Sequence, residues 1–265
     1  MKRVLTTLIG IPLVVALIKF APDFLTVIAI YIAMLLALRE YFALNPRLSY
    51  PATGVVLASI VLLSFYYDHV RLATLVPFVT AAVLMAALFS RRNMPEAFAG
   101  STFTLFGVLY IGGLMGYLVG IRRIEEGGET GSDLLMMLFV IIWANDIFAY
   151  LFGKTLGRHK LAPVVSPKKT VEGAVAGLVF GVAAAVVCRL WFVQQMSSRD
   201  AIIAGAFVGT VGQIGDLCES VVKRSVNVKD SGSLLPGHGG MLDRVDSLLF
   251  GAPAMYYYFY FVLHR

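Results

Sequence analysis

Two carboxylates and a hydroxyl fall on one face of a segment that is otherwise apolar. Asp216, Glu219 and Ser220 follow Gly212 at spacings of three or four residues, so all of them share a face if residues 200–223 form a helix. Solvated loop charges and surface salt bridges are common, but they explain acidic side chains inside an apolar helix poorly. Mg²⁺ prefers oxygen ligands and is typically held by one or two carboxylates plus substrate phosphates. The pattern therefore indicates a divalent-cation site.

A charged, glycine-rich stretch follows this segment. Asp243 and Asp246 are three residues apart at the start of the next predicted helix, so they also share a face. The cations of the stretch suit phosphate oxygens, and they are Lys223, Arg224, Lys229 and Arg244. The intervening loop contains Gly237, Gly239 and Gly240, which would let backbone approach a ligand. Its histidine, His238, is explained equally well by a structural role and by a phosphate contact.

A second charged stretch runs from Asp146 to Glu172. Asp146 lies in an apolar run, where an unpaired carboxylate costs several kcal/mol, so we expect it to face the interior of the helix bundle and to find a cation. Charged groups are scarce elsewhere in the chain, and the two stretches therefore hold the candidate chemistry.

The end of that stretch combines basic residues with a predicted helix start. Ser166 precedes a proline and is expected to begin a turn, and Thr170 is expected to cap the helix that follows. Lys168 and Lys169 stand just before this helix N-terminus, where free N–H groups favour anions such as phosphate. Basic residues in this position also commonly do no more than anchor a cytoplasmic helix.

The elements that position these residues are membrane helices. Hydrophobic residues make up 58% of the 265 residues and charged residues only 14%, whereas soluble domains carry about 25% charged residues. Stretches of roughly 20 apolar residues, the length that spans a bilayer, recur along the whole chain. The composition predicts an all-α, polytopic integral membrane protein.

About nine transmembrane helices are predicted, and the apolar run after Met1 is taken as the first span rather than a signal peptide because no small-residue cleavage site follows it. A break at Asp68 and His69 leaves open whether the third and fourth spans are one broken unit. The nine segments are 4–20, 24–44, 52–69, 71–90, 97–121, 133–153, 172–193, 200–223 and 246–263. Residues 1–130 are expected to form a scaffold with lipid access, and residues 131–265 the catalytic helices and cytoplasmic loops.

The distribution of basic residues predicts the orientation. With nine spans, the side that holds the N-terminus carries fifteen of the 22 Lys and Arg, which the positive-inside rule places in the cytoplasm. Those fifteen are Lys2, Arg3, Arg39, Arg47, Arg91, Arg92, Lys154, Arg158, Lys160, Lys168, Lys169, Lys223, Arg224, Lys229 and Arg244. Because this bias explains the net charge of +6, no nucleic-acid partner is expected.

Glycines recur four apart in three predicted helices, as Gly112-Gly116-Gly120, Gly173-Gly177-Gly181 and Gly205-Gly209. Missing side chains on one face let helix backbones approach closely in lipid. Packing within one chain is the favoured interpretation, and a dimer contact is the alternative.

The C-terminal charged stretch resembles the signature of the phosphatidate cytidylyltransferase family, without a gap or a departure. The matching residues are Ser220-Val221-Val222-Lys223-Arg224, then Lys229-Asp230-Ser231-Gly232, then Leu235 to Asp246. The stretch from Asp146 to Gly173 resembles a second region of that family. The resemblance covers roughly the C-terminal half, and the earlier helices are similar only in being apolar.

The resemblance implies an enzyme, a nucleotidyltransferase of phospholipid biosynthesis, that makes CDP-diacylglycerol and pyrophosphate from CTP and phosphatidate with Mg²⁺. It also implies a second cation, K⁺, and a homodimer. The lack of an organelle-type presequence favours a bacterial inner (plasma) membrane, and the distribution of basic residues predicts that the site faces the cytoplasm. The expected metal ligands are Asp216, Asp243 and Asp246, and the expected catalytic residues are Lys223, Arg224, Asp243 and Arg244. Substrate is expected to contact Asp146, Ser166, Lys168, Lys169, Thr170, Glu172, Ser220, Lys229, Asp230, His238, Gly239 and Gly240.

Two other classes of protein remain as alternatives. Intramembrane carboxylates also mark the cation pathways of ion-coupled transporters, but those favour charges near the bilayer midplane and an internal repeat, and neither is evident here. Another CTP-using or phosphate-transferring lipid enzyme, such as a polyprenol or phytol kinase, would share the charged helix ends. The Asp-Gly and Ala-Arg pattern of the CDP-alcohol phosphotransferases is absent from the sequence.

Overall fold

The structure, a computed structural model, describes residues 2–67, 72–124, 131–232 and 239–263, and most of them are helical. The helices are α1 Lys2–Lys19, α2 Asp23–Leu44, α3 Pro51–Tyr67, α4 Leu72–Leu88, α5 Met94–Gly107, α6 Leu114–Arg122, α7 Gly131–Thr155, α8 Val171–Trp191, α9 Ser198–Ser225 and α10 Leu242–Tyr258. Short π-helical segments, Val108–Gly113 and Phe259–Leu263, join α5 to α6 and extend α10. Each predicted span corresponds to one of these segments when α5 and α6 are counted together. The question of a broken third and fourth span concerns Asp68 and His69, which lie outside the described residues.

One antiparallel hairpin interrupts the helices between α7 and α8. Strand β1 is Lys160–Ala162 and strand β2 is Ser166–Thr170, with Lys160 opposite Thr170. The prediction that Ser166 begins a turn is wrong, because the turn comes before Ser166, at residues 163–165. Pro167 lacks an N–H, and a two-stranded hairpin tolerates this because each strand has an open edge.

The predicted cap of α8 is confirmed. The Gly173 N–H donates to Thr170 Oγ1 at 3.2 Å, and Thr170 has the extended backbone of a capping residue. Asn93 caps α5 in the same way by accepting from the Glu96 N–H, and Ser197 caps α9 by accepting from the Asp200 N–H. These helix starts depend on short-range interactions that are visible in the sequence.

Within the described ranges, five helices are long and apolar enough to cross a membrane, and they are Asp23–Leu44, Met94–Arg122, Gly131–Thr155, Val171–Trp191 and Ser198–Ser225. Shorter apolar helices cover Gly10–Lys19, Pro51–Tyr67 and Thr74–Leu88. These helices make the chain a helical, multi-pass membrane protein, as predicted.

Helix α8 has a buried face of glycines and an exposed face of valines. Gly173, Gly177 and Gly181 are buried, whereas Val175 and Val179 are 56% and 58% exposed. Exposed valines at a spacing of four form an apolar stripe that water would not favour and lipid would.

The chain forms two compact units, each assembled from separate parts of the sequence. The first contains Met1–Leu8, Pro22–Gly120 and Asp230–Arg244, and the second contains Ile9–Ala21, Ile121–Lys229 and Val245–Arg265. The signature residues after Lys229 therefore divide between the two units.

Close helix packing through glycine, within a single chain, is confirmed in both units. In the second unit, a Cβ at Gly177 would lie 2.7 Å from the Asn145 carbonyl oxygen, and one at Gly205 would lie 2.9 Å from Val182 Cα. In the first unit, a Cβ at Gly112 would lie 2.9 Å from Ala58 Cα. Real Cβ atoms do not approach so closely, so α7, α8 and α9 can pack as they do only with glycine at these positions.

Candidate active site

Three carboxylates of the second unit converge. Asp216 and Glu219 come from one face of α9, as predicted, and Asp246 comes from α10. One oxygen from each residue lies within 4.8 Å of the others. Glu219 is fully buried, and Asp216 and Asp246 are half-buried. We call these three residues the acidic cluster.

Glycine brings the two helices of the acidic cluster together. A Cβ at Gly215 would lie 2.9 Å from both the Asp246 carbonyl oxygen and Phe250 Cβ. The backbone of α10 can therefore approach α9 only because residue 215 has no side chain. The same close approach places Asp246 against Asp216 and Glu219.

The electrostatics of the acidic cluster favour a cation. Asp246 experiences the negative charges of Asp216 and Glu219, and also that of Asp146 on α7. Two lysines offset part of this charge, because Lys169 Nζ lies 2.6 Å from Asp216 Oδ2 and Lys223 forms an ion pair with Glu219. Carboxylates held this close repel one another, and a bound divalent cation would relieve that repulsion. The donor set consists of hard oxygens, which fits Mg²⁺.

Asp146 is exposed, and the prediction that it faces the bundle interior is wrong. The adjacent residue takes the interior position, since Asn145 is buried and its Nδ2 donates to the Gly209 carbonyl at 2.7 Å. Gln213 Nε2 donates to Asn145 Oδ1 at 2.7 Å and to the Ala174 carbonyl at 2.9 Å. Adjacent residues of a helix point about 100° apart, so Asn145 can face the interior while Asp146 faces outward. Sequence reasoning missed Asn145 and Gln213.

The hairpin brings one predicted substrate residue to the acidic cluster and uses another for its own structure. Lys169 of β2 reaches Asp216, whereas Lys168 is exposed. Glu172 accepts hydrogen bonds from the Arg158 N–H at 3.0 Å and from the His159 N–H at 3.2 Å, and it pairs with His159 Nδ1 at 2.6 Å. Glu172 therefore closes the base of the hairpin. Sequence reasoning did not single out His159.

Residues at the end of α9 differ in their surroundings. Ser220 and Lys223 are buried, whereas Lys229 and Asp230 are exposed. Arg224 donates from Nε to the Val165 carbonyl at 3.3 Å and from Nη1 to the Val228 carbonyl at 2.7 Å. Arg224 thus links the hairpin turn to the segment that follows α9.

In the first unit, Asp243 binds backbone N–H groups. Its carboxylate accepts from the Ser231 N–H at 3.1 Å and from the Gly240 N–H at 2.8 Å. Gly239 has a positive φ of 82°, which glycine adopts without strain. Arg244 is exposed, and His238 lies outside the described residues.

A buried glutamate that sequence reasoning missed lies in the same unit. Glu40 of α2 accepts from Ser231 Oγ at 2.9 Å, from the Met241 N–H at 2.8 Å and from the Leu242 N–H at 2.9 Å. The sequence signal was a carboxylate inside a predicted span, as for Asp216, but here Arg39 stands next to it and offers a local ion pair as the simpler explanation.

Known proteins are similar to this chain over most of its length. A model of the cytidylyltransferase family matches residues 1–262. The phosphatidate cytidylyltransferase of Staphylococcus saprophyticus is 31% identical over 254 residues, which cover 91% of this chain and 94% of that protein. The Staphylococcus aureus protein of the same name is 34% identical over 255 residues, with the same coverage of 91% and 94%. The Bacillus subtilis protein of that name is 41% identical over 155 residues, which cover 58% of this chain and 56% of that protein.

Proposed function

We propose that this chain, which belongs to the cytidylyltransferase family, is a phosphatidate cytidylyltransferase. It transfers CMP from CTP to phosphatidate, forms CDP-diacylglycerol and releases pyrophosphate. The observation that carries the proposal within the structure is the acidic cluster, a set of hard oxygen donors flanked by lysines in a helical membrane protein. The relatives named above support the choice of substrates.

The reaction is first a problem of charge. A phosphomonoester such as phosphatidate carries about −1.5 to −2 at neutral pH, and the triphosphate of CTP carries several more negative charges. The lipid phosphate is already ionised, so it attacks the α-phosphorus in line without a general base, and pyrophosphate leaves. What the protein must supply is positive charge and orientation.

The acidic cluster would hold the metal. Asp216, Glu219 and Asp246 offer oxygens that fit Mg²⁺, and Asp146 adds its charge nearby. Bound there, Mg²⁺ would neutralise and orient phosphate oxygens. A second cation, K⁺, is part of the proposal through the resemblance. Asp243 stays a predicted metal ligand from the family signature, beside its role in binding the backbone of its own unit.

Basic side chains would hold the phosphates. Lys169 and Lys223 border the acidic cluster, and both are proposed to face substrate oxygens once a metal balances the carboxylates. Arg224 and Arg244 are exposed and are proposed to bind phosphate in bidentate fashion. Lys168 and the N-terminus of α8 are proposed for the CTP triphosphate. The same proposal includes the remaining predicted substrate contacts, Asp146, Ser166, Thr170, Glu172, Ser220, Lys229, Asp230, His238, Gly239 and Gly240.

The proposed topology has about nine spans, a cytoplasmic N-terminus and a cytoplasmic site in the bacterial inner membrane. CTP arrives from water while the acyl chains stay in the bilayer, so a charged site at the cytoplasmic helix ends serves both substrates. The excess of Lys and Arg on the side of the N-terminus supports this orientation. A division into a scaffold at 1–130 and catalytic elements at 131–265, and a homodimer, complete the proposal.

Purified protein in detergent tests the reaction. We expect CTP, phosphatidate and Mg²⁺ together to give pyrophosphate and a CDP-lipid, with no pyrophosphate when the lipid or the metal is omitted. Release of CDP with a phosphorylated lipid alcohol would favour a lipid kinase instead. Binding of neither CTP nor phosphatidate would favour the transporter alternative.

A further inference from the structure

We infer that Glu40 is a positioning residue for the proposed cytidylyl transfer, and this inference depends on that function. Glu40 lies near the C-terminal end of α2, yet its carboxylate binds a part of the chain about two hundred positions later. It holds two segments, residues 231–232 and residues 240–242, and the second leads directly into Asp243 and Arg244. Through this second segment Glu40 sets the orientation of both side chains.

Both carboxylate oxygens of Glu40 accept hydrogen bonds. Its Oε1 accepts from the Met241 N–H, and its Oε2 accepts from both the Leu242 N–H and Ser231 Oγ. Leu242 is the first residue of α10, so the carboxylate satisfies donors that a helix start leaves open and lies at the positive end of the helix dipole. A buried carboxylate with three neutral donors is stabilised without needing a metal.

Glu40 and Asp243 act on the same backbone. Ser231 donates its hydroxyl to Glu40 and its N–H to Asp243. The Gly240 N–H binds Asp243, whereas the next two N–H groups along the chain bind Glu40. Movement of either carboxylate therefore displaces the donors of the other.

The backbone of Met241 links Glu40 to Arg244. The Arg244 N–H donates to the Met241 carbonyl at 3.0 Å, in the turn that begins α10, while the Met241 N–H binds Glu40. Glu40 thus fixes the start of α10. This helix carries Asp243, a predicted metal ligand, and Arg244, a predicted phosphate ligand.

The neighbouring residues are adapted to this carboxylate. A Cβ at Gly232 would lie 2.9 Å from Glu40 Oε1. A side chain at Gly240 would collide with Glu40 Oε2 and Ser231 Oγ. Gly232 belongs to the first of the two segments and Gly240 to the second. Because neither has a side chain, the Glu40 carboxylate can approach both segments.

The test uses full-length protein in detergent and two changes at Glu40. In Glu40→Gln the amide –NH₂ would face at least one donor, so a hydrogen bond is lost while size is kept. Glu40→Asp keeps the charge but shortens the reach. Glu96→Gln is the matched control, because Glu96 is an exposed glutamate of the same unit.

We expect Glu40→Gln to lower kcat about 10- to 100-fold, the size of effect that displacement of catalytic groups by about 1 Å produces. The KM for CTP should change less than about threefold, since α8 and the hairpin are untouched. Glu40→Asp should fall between Glu40→Gln and wild type, and Glu96→Gln should match wild type. Hydrogen–deuterium exchange should accelerate at residues 240–242 in Glu40→Gln, whereas the protection of α7 to α9 should not change.

Wild-type kcat in Glu40→Gln would overturn the inference and leave the proposed function intact. Loss of folded protein in both Glu40 variants would assign Glu40 to the fold alone, and it too would overturn the inference. Absence of pyrophosphate release by the wild type would instead reject the proposed function.

Discussion

The chain contains two groups of buried or half-buried acids that are stabilised in different ways. In the second unit, Asp216, Glu219 and Asp246 face one another and depend on lysines for charge balance. In the first unit, Glu40 and Asp243 bind backbone N–H groups and a serine hydroxyl. Carboxylates that repel one another are a place for a cation, whereas a carboxylate that accepts from three neutral donors, as Glu40 does, holds backbone in place. We therefore assign metal binding to the first kind and positioning to Glu40.

The largest effect is expected from a change in the acidic cluster. Asp216→Asn or Asp246→Asn should each lower kcat at least about 10³-fold, because loss of a metal ligand removes several kcal/mol of transition-state stabilisation. Pyrophosphate release at saturating substrates measures it. Asp23→Asn, a change of the same kind at the start of α2, is the control and should match wild type. Near-normal turnover in either cluster variant would remove that aspartate from the metal site.

A change in the lysine partner should affect stability most. Lys223→Met leaves the fully buried Glu219 carboxylate without its ammonium partner, and such a loss typically lowers the free energy of unfolding by about 3–5 kcal/mol. Chemical unfolding in detergent without Mg²⁺ measures it. The double variant Glu219→Gln/Lys223→Met removes both charges and should recover most of the loss. Equal stability of Lys223→Met and wild type would show that the acidic cluster does not depend on this pair.

A smaller effect is expected from the helix contact. Gly215→Ala adds a Cβ at 2.9 Å from the Asp246 carbonyl and from Phe250 Cβ, so α10 must shift away from α9. We expect kcat to fall about tenfold and the Mg²⁺ concentration for half-maximal activity to rise. Gly113→Ala is the matched control, since a Cβ there meets nothing within 4 Å. Equal activity of the two variants would mean that the α9–α10 approach does not position Asp246.

The smallest effect is expected at the hairpin. Lys169→Met removes a half-exposed ion pair with Asp216, and such pairs contribute only about 0–1 kcal/mol to stability. Unfolding should therefore change little, whereas the KM for CTP should rise several-fold if Lys169 binds the triphosphate. Lys168→Met tests the neighbouring exposed lysine under the same assay. A wild-type KM in both variants would exclude the hairpin from CTP binding.

Local sequence patterns predicted the parts of the structure that depend on local geometry. Helical spacing placed Asp216 and Glu219 on one face, and the Thr170 cap depends on a residue only three positions away. The hairpin was missed because strands of three and five residues leave little periodicity to detect.

Long-range partners could not be predicted from one sequence. Glu40 and Leu242 are 202 positions apart, and only the tertiary fold brings them together. Asp146 was placed inside the bundle because its apolar surroundings do not show which of two adjacent polar residues faces inward, and Asn145 takes that position.

Metal binding itself is the sharpest test of the acidic cluster. Mn²⁺ is a paramagnetic ion that prefers the same oxygen ligands as Mg²⁺, so its bound fraction can be titrated by electron paramagnetic resonance in wild type, Asp246→Asn and Asp23→Asn. We expect saturable Mn²⁺ binding that Mg²⁺ displaces in wild type and in Asp23→Asn, and at least a tenfold weaker affinity in Asp246→Asn. Equal Mn²⁺ affinity in all three proteins would contradict the assignment of the acidic cluster as the metal site.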